Sequence, residues 1–191
     1  KNKGYIRYFN LPKEMKGRGA ALRYGSSHAR GNIVVFFHSD DEYDPENIID
    51  LVRFLQKDEY EAVFGSRSTK CLNLDHRIKT IYRGNTISYL VSKYGGLSLS
   101  VLCLFLFNRY VTDPLTGLKA FDRRLLKMLD LKSDGVELET EIIAKLSKNH
   151  KYILEVPINY RPRLKSEGKK ITIRDGFKAL ITLVKIRFIQ D

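Results

Sequence analysis

The sequence predicts one α/β domain over residues 1–191, with helices flanking a mostly parallel sheet. The run NIVVFF at 32–37 is β-branched and aromatic throughout, which is typical of a strand buried on both faces. A helical pattern and a second apolar strand, EAVFGS at 61–66, follow within about thirty residues and complete a βαβ unit with a right-handed crossover. The hydrophobic content of 43% is that of a globular domain.

The elements around this unit are predicted from caps and spacing. Residues 5–9 (YIRYF) are compatible with a short strand, and the segment 17–31 predicts a helix entered and left through glycines. Asp44 suits an N-cap and Pro45 a first helical residue, so a helix is expected from there to about Gln56.

The second half of the chain continues the alternation. In chain order the patterns predict one or two apolar helices in 77–110, a strand at 117–121, a helix capped by Asp122, a helix at 137–149, a strand at 152–160 and an amphipathic helix within 168–191. The longest hydrophobic stretch, Ile87–Phe107, is interrupted by Lys93 and two glycines. It therefore predicts a buried or amphipathic helix and not one that spans a bilayer.

The charge balance indicates an anionic partner. The chain has 34 Lys and Arg against 22 Asp and Glu, a formal net charge of +12. Phosphates, nucleic acid and a lipid surface all fit such a balance. The two cysteines are too few for a disulfide scaffold and match no metal motif, which favours reduced thiols in a cytoplasmic protein.

A cluster of acids interrupts this basic chain where the first buried strand ends. Five acids lie within Asp40–Glu46, and open α/β sheets bind ligands at the carboxyl ends of strands. In an extended turn, residues two apart point the same way, so His38, Asp40 and Glu42 could converge on one point. An imidazole and two carboxylates suit Mg²⁺ or Mn²⁺. The alternative is a solvated loop whose acids, Asp44 above all, cap the next helix.

The stretch KGRGAALRYGSSHARGNIVVFFHSDDEYDPENI resembles the middle of the catalytic domain of family 2 glycosyltransferases, which have the GT-A (Rossmann-like) fold. The nearest resemblance is to the dolichol-phosphate mannosyltransferase branch, which charges polyprenyl phosphates. The resemblance continues through VFGSRS, YRGN, VTDPLTGLKAF, ETEIIAKL, EVPINYRPR and EGKKITIRDGFKAL, nearly the whole chain. It implies inverting transfer of a sugar from a nucleotide-diphosphate donor to a dolichyl or undecaprenyl phosphate, with Mg²⁺ or Mn²⁺, for glycan or cell-envelope synthesis.

The sequence departs from the family pattern at two places. His38 stands where the family has the first Asp of its Asp-x-Asp motif, whereas the second, Asp40, is kept. The resemblance assigns Asp40, with His38, to the metal and the donor diphosphate. The family's opening strand and nucleotide-base pocket have no counterpart before Lys1, so the domain is expected to be N-terminally incomplete and inactive by itself.

The resemblance also implies roles for two further carboxylates. It places Asp113, in the turn TDPLTG, on the acceptor side of the site, and Glu141 within the site. Turn chemistry is the alternative for Asp113, and a solvated helix face for Glu141. A phosphate acceptor is already ionised and needs no general base, so neither residue has to act as one.

Basic residues are expected to bind phosphates. Arg67 in GSRS has a planar guanidinium that suits diphosphate oxygens, with an ordinary surface arginine as the alternative. The family uses the loop after EVPINY to hold phosphates of the donor or lipid, which implies that role for Arg161, Arg163, Lys169 and Lys170. The alternative is a solvated basic face.

The C-terminal segment 168–191 is expected to lie on an anionic membrane as a peripheral element at the inner face. An apolar stripe at helical spacing comprises Ile173, Phe177, Leu180, Ile181 and Val184, with basic residues around it. Packing of this stripe on the domain's own sheet, or on a second subunit of a homo-oligomer, is the alternative.

Other functions stay open at this point. A protein or polysaccharide hydroxyl is the alternative acceptor for a glycosyltransferase. A non-catalytic basic module that binds anionic membrane or nucleic acid is the rival from another class, and it predicts strong salt dependence and indifference to Asp40. A nucleotidyltransferase would share the acidic turn but not the EVPINYRPR ending.

Overall fold

A computed structural model describes residues 6–57, 59–69, 86–161 and 173–189. The helices are α1 (Arg18–Ser27), α2 (Asn47–Gln56), α3 (Thr86–Phe107), α4 (Arg123–Met128), α5 (Leu138–Lys148) and α6 (Ile173–Phe188). The strands are β1 (Ile33–Phe36), β2 (Ala62–Ser66), β3 (Lys119–Asp122) and β4 (Leu154–Pro157). The α/β class is confirmed. The strand expected near the N-terminus is not, because residues 6–9 have no regular secondary structure.

The four described strands form one sheet in the order β1-β3-β2-β4. β3 is antiparallel to both β1 and β2, and β2 is parallel to β4. β1 and β2 therefore run in the same direction, as the βαβ prediction requires, but β3 lies between them. The described sheet is mixed: β1, β2 and β4 run in one direction, as a mostly parallel sheet requires, and β3 runs against them because the 108–118 segment starts β3 at the edge where β1 and β2 end. That edge thus holds the carboxyl ends of β1, β2 and β4 and the start of β3.

Helices cover both faces of the sheet. On one face α3, α5 and α6 pack over β1, β2 and β3 around Phe36, Phe64 and Phe121. On the other face α2 packs through Leu51 and Leu55. β2 is buried along its whole length, as a strand with helices on both sides should be.

Two predicted helix starts have different outcomes. Asp122 caps α4 as predicted, since its carboxylate accepts backbone N–H bonds of 2.7 and 3.2 Å from the first turn. The start predicted at Asp44 and Pro45 is early, because α2 begins at Asn47. Asp44 instead accepts a 3.0 Å hydrogen bond from the backbone N–H of Glu46 and closes a turn before the helix.

Helices α5 and α6 pack against each other on the same side of the sheet. Ala179, Leu183 and Ile186 of α6 are buried in that layer. The apolar stripe predicted from the sequence does not coincide with this buried side, because two of its residues, Phe177 and Ile181, are exposed. Within the described part of the chain, no helix has both the length and the apolar character needed to cross a membrane.

Candidate active site

The carboxyl edge of the sheet gathers most of the residues predicted for the site. His38 and Asp40 follow β1, and Arg67 follows β2. Asp113 lies in the segment that leads into β3, and Arg161 follows β4. These residues are far apart in sequence, and the strand directions bring them to one edge.

The acidic turn does not gather three ligands at one point. Asp41 has a φ of 61°, in the left-handed region, so the alternation of side chains expected of an extended turn is broken there. The carboxylate of Asp40 accepts a 3.3 Å hydrogen bond from the backbone N–H of Glu42, whereas the carboxylate of Glu42 bonds to the Tyr160 hydroxyl. The predicted convergence of His38, Asp40 and Glu42 is therefore wrong. Among the described residues no group of three or more His, Cys, Asp or Glu side chains is placed to hold a metal ion.

The acidic turn is joined to the chain that leaves β4. Tyr43 and Tyr160 form an antiparallel bridge, with ring centroids 5.1 Å apart. The backbone N–H of Arg161 donates a 2.8 Å hydrogen bond to the carbonyl of Glu42. The first residue of the predicted phosphate-binding run is thus held beside the acidic turn.

The imidazole of His38 packs against Gly117 at the entry to β3. A Cβ at position 117 would lie 3.0 Å from Cε1 of His38, so a larger residue would displace the ring. Nε2 of His38 is buried and has no hydrogen-bond partner among the described residues. Burial, and next the positive charge of Arg18, lower the pKa of His38, which favours the neutral imidazole.

Arg67 and Asp113 bond to each other. The sequence predicts separate roles for them, Arg67 at the diphosphate and Asp113 on the acceptor side. Nε and Nη2 of Arg67 each donate a 2.6 Å hydrogen bond to the carboxylate. Burial favours the neutral acid, but the Arg67 charge outweighs it and holds the pKa of Asp113 below its ordinary value. The guanidinium also lies over the Tyr160 ring, 5.1 Å from its centroid. Roles for this pair in substrate binding stay predictions.

Arg18, Glu139 and Lys119 form a buried ionic chain beside His38, and sequence reasoning missed it. Glu139 accepts hydrogen bonds from Nη2 of Arg18 and from Nζ of Lys119. Burial alone would raise the pKa of Glu139, but the two cations hold it below its ordinary value. The residue in the sequence that indicates this ionic chain is Lys119, because a lysine inside the apolar strand GLKAF requires a buried acid.

Glu141, the carboxylate assigned to the site, binds a different segment. Its two oxygens accept the backbone N–H groups of Lys132 and Ser133 at 2.8 and 2.7 Å. Nζ of Lys145 lies 2.8 Å from Oε1 of the same carboxylate. A catalytic role for Glu141 stays a prediction. Three predicted phosphate-binding residues, Arg163, Lys169 and Lys170, lie outside the described residues.

Binding of a divalent cation by His38 and Asp40 stays a prediction. The unpartnered nitrogen of His38 and the carboxylate of Asp40 are suitable donors for Mg²⁺ or Mn²⁺. Both lie on the turn that follows β1. A cation held by two protein groups keeps most of its coordination positions for substrate oxygens and water, so the residues fit a metal that binds together with a diphosphate.

Comparison with known proteins agrees with the fold. The chain superposes on glucosyl-3-phosphoglycerate synthase of Mycobacterium tuberculosis, solved with Mn²⁺, UDP and phosphoglyceric acid. The TM-score is 0.59 at 23% identity, over 96% of this chain and 57% of that one. The architecture is that of a GT-A-type glycosyltransferase.

The family follows from sequence. Residues 1–116 match the family described as "Glycosyl transferase family 2". The chain belongs to this family. It is 30% identical to the UDP-N-acetylglucosamine–dolichyl-phosphate N-acetylglucosaminyltransferase of Methanococcus voltae, over 92% of this chain and 67% of that protein. It is 27% identical to the dolichyl-phosphate hexose transferase of Haloferax volcanii, over 80% of this chain and 60% of that protein.

Proposed function

We propose that this domain transfers a sugar from a nucleotide-diphosphate donor to a polyprenyl phosphate, with inversion and with a divalent cation. The observation that carries the proposal is the junction between the acidic turn and the exit of β4, where the N–H of Arg161 bonds the carbonyl of Glu42. This bond supports a position of Asp40, the carboxylate proposed for the cation, in the same region as Arg161, the first residue of a basic segment. A reaction between two phosphate-bearing substrates uses both.

Two relatives support the choice of acceptor. The proteins from Methanococcus voltae and Haloferax volcanii are both named for dolichyl phosphate. A phosphate acceptor needs no general base. This is consistent with described carboxylates that mostly accept hydrogen bonds from other protein groups. Asp113, Glu139 and Glu141 each accept hydrogen bonds from cations, so they are poorly placed to take a proton from a hydroxyl.

The reaction proposed is a direct displacement. An oxygen of the acceptor phosphate attacks the anomeric carbon, the new carbon–oxygen bond forms on the opposite face, and the bond to the diphosphate breaks with its electron pair. Mg²⁺ or Mn²⁺, held by His38 and Asp40, would supply positive charge for the departing diphosphate. Arg161, with Arg163, Lys169 and Lys170, would hold the phosphate groups during this exchange.

The acceptor also determines where the protein works. A polyprenyl phosphate resides in a bilayer, so the proposal requires contact with a membrane, and we propose a peripheral association of this domain at the inner face. The exposed basic residues of α6, Arg174, Lys178, Lys185 and Arg187, support contact with an anionic surface.

The test is a pair of neighbouring substitutions in the full-length protein, Asp40→Asn and Asp41→Asn. Both remove one negative charge from the same turn, and Asn tolerates the left-handed backbone at position 41. Transfer of labelled sugar from UDP or GDP donors to a polyprenyl phosphate should fall at least about a hundredfold in Asp40→Asn and little in Asp41→Asn. EDTA should abolish transfer, and added Mn²⁺ should restore it.

Equal transfer by the two variants, or full transfer in excess EDTA, would overturn the metal-dependent assignment. A non-catalytic basic module would show no transfer in either variant and unchanged membrane binding in both. Transfer only to a hydroxyl acceptor would keep the enzyme class and reject the polyprenyl phosphate.

A further inference from the structure

Helix α6 has two apolar sides, and only one of them packs against other described residues. Ala179, Leu183 and Ile186 face the core and are at most 3% exposed. A second stripe at the same helical spacing points outward and is exposed to between 42% and 71%: Phe177, Ile181, Val184 and Phe188. Packing within the domain therefore explains the first stripe but not the second.

Helix α3, which packs against α6, repeats this arrangement. Leu99, Cys103 and Leu106 are buried. The outward side carries a row of exposed apolar residues, Leu97, Val101, Leu104 and Phe105, and Phe105 is 86% exposed. Because α3 and α6 lie in one layer over the sheet, their outward sides belong to the same side of the molecule. We call these eight exposed residues the α3–α6 face.

The charges of these two helices have one predominant sign. Across Thr86–Phe107 the only charged residue is Lys93, and across Ile173–Phe188 four basic residues accompany a single acid, Asp175. Arg174, Lys178, Lys185 and Arg187 are all exposed. Two copies of such a face would repel each other, whereas an anionic surface would attract it.

We propose that the α3–α6 face docks on an anionic lipid bilayer, with side chains of both helices in the interface. Contiguous apolar patches on the surfaces of soluble domains mark interaction sites. An apolar stripe beside basic residues is the composition of helices that lie in a membrane interface. Phe105 makes α3 part of this surface. The proposal deepens the proposed function, since it names the surface that meets the lipid, but docking itself requires no sugar transfer.

The experiment measures co-sedimentation of the full-length protein with vesicles of phosphatidylcholine alone or with added phosphatidylglycerol. The apolar variant is Phe105→Ser/Ile181→Ser, with one exposed residue from each helix. Its matched control is Ile49→Ser/Met128→Ser, since those residues are 55% and 50% exposed on other helices. The charge variant is Arg174→Glu/Lys178→Glu/Lys185→Glu, and its control reverses three exposed basic residues elsewhere, Lys57, Arg124 and Lys127.

Binding should rise with phosphatidylglycerol and weaken with salt. The apolar and charge variants should each lose at least about tenfold in vesicle partition, and their controls should stay within about twofold of the unmodified protein. Equal losses in variants and controls would overturn the docking surface. So would equal binding to neutral and anionic vesicles, or a dimer in solution that Phe105→Ser/Ile181→Ser converts to monomer without vesicle binding.

A second measurement separates this proposal from the proposed function. Transfer to a short, water-soluble polyprenyl phosphate without vesicles should be kept by the apolar and charge variants, since their substitutions lie outside the site. Kept transfer with unchanged vesicle binding would overturn only the docking surface. Normal vesicle binding without transfer in the unmodified protein would overturn only the transferase.

Discussion

Arg67 and Asp113 are joined by three hydrogen bonds, two from the guanidinium at 2.6 Å and one from the backbone N–H of Arg67 at 3.0 Å. The side chain of Asp113 is 6% exposed and that of Arg67 is 25% exposed. The pair fixes the chain just after β2 to the segment that leads into β3. Glu155 of β4 fixes the same segment, because its carboxylate accepts the backbone N–H groups of Thr112 and Asp113.

The substitution Asp113→Asn should destabilise the fold strongly. It removes the carboxylate charge to which Nε and Nη2 of Arg67 both donate and leaves a largely buried cation. Such a loss costs about 3–5 kcal/mol. Urea unfolding of Asp113→Asn against Asp130→Asn measures it, because Asp130 pairs with Lys132 in the open, with side chains 73% and 66% exposed. The exposed pair should contribute less than about 1 kcal/mol.

Comparable losses in the two variants would show that the Arg67–Asp113 pair has no structural role beyond that of a surface ion pair. A stable Asp113→Asn variant without sugar transfer would instead favour the role in substrate binding that the sequence predicts.

Lys119 and Glu139 should show strong coupling in a double-mutant cycle. Both side chains are at most 1% exposed, and removal of either partner leaves the other charged group buried. Lys119→Met and Glu139→Gln should each cost several kcal/mol, and the double variant should recover about 2–3 kcal/mol of the sum. Guanidinium unfolding of the four proteins gives the coupling energy.

The cycle has a matched control on the same helix. Glu137 is the N-cap residue of α5, two residues before Glu139, and accepts a 3.1 Å hydrogen bond from the backbone N–H of Gly135. Glu137→Gln combined with Lys119→Met should be additive within about 0.5 kcal/mol. An additive Lys119–Glu139 cycle would show that the two buried groups do not form an energetically coupled pair.

Local patterns in the sequence predicted most of the elements and the edge of the sheet at which the candidate residues lie. The run NIVVFF predicted a buried strand, Asp122 predicted a cap, and the acidic turn predicted the edge that holds His38, Asp40 and Arg67. These features depend on short-range spacing and backbone chemistry. The antiparallel insertion of β3 between β1 and β2 depends on where a long connection returns, and local spacing carries no information about that.

The site was predicted less completely than the fold, for the same reason. Sequence reasoning treated Arg67 and Asp113 as separate, although a bidentate ion pair joins them across 46 residues. The family resemblance assigned Glu141 to the site, whereas Glu139, on another side of the same helix, received no role. The buried position of Glu139 could have been predicted from Lys119, since a fully buried lysine needs a partner on the helix packed beside it.

Glu141 should make the stability of the domain sensitive to acid. Burial favours its neutral form, but hydrogen bonds from Lys145 and from the backbone of Ser133 and Lys132 outweigh burial and lower the pKa of Glu141. A carboxyl group with a lowered pKa contributes stability above its ordinary value of 4.5, and loses it as the pH falls through the folded value. Glu141→Gln should therefore cost about 1–3 kcal/mol at pH 7 and much less at pH 3.

Urea unfolding at pH 7, 5, 4 and 3 follows this difference. Glu61→Gln is the control, because Glu61 pairs with Lys151 at 2.6 Å with a side chain 49% exposed, and its loss should cost less than about 1 kcal/mol. A difference between Glu141→Gln and the unmodified protein that is constant with pH would exclude the carboxylate charge as its source.

Gly117→Ala should displace His38 without disturbing the fold around it. The backbone at position 117 is accessible to any residue, but the new Cβ would lie 3.0–3.2 Å from three atoms of the imidazole. Overpacking of this kind costs about 1–3 kcal/mol, and the ring, which lies partly at the surface, can relieve it by turning outward. We expect the Hε1 resonance of His38 to shift and sugar transfer by the full-length protein to fall about tenfold or more, since His38 would no longer hold its nitrogen in the site.

Gly25→Ala is the matched control, because nothing lies within 4 Å of a Cβ there. It replaces a helical glycine of α1 and should stabilise the domain by about 0.5–1 kcal/mol. An unshifted His38 resonance together with unimpaired transfer in Gly117→Ala would show that the contact between Gly117 and His38 does not position the imidazole.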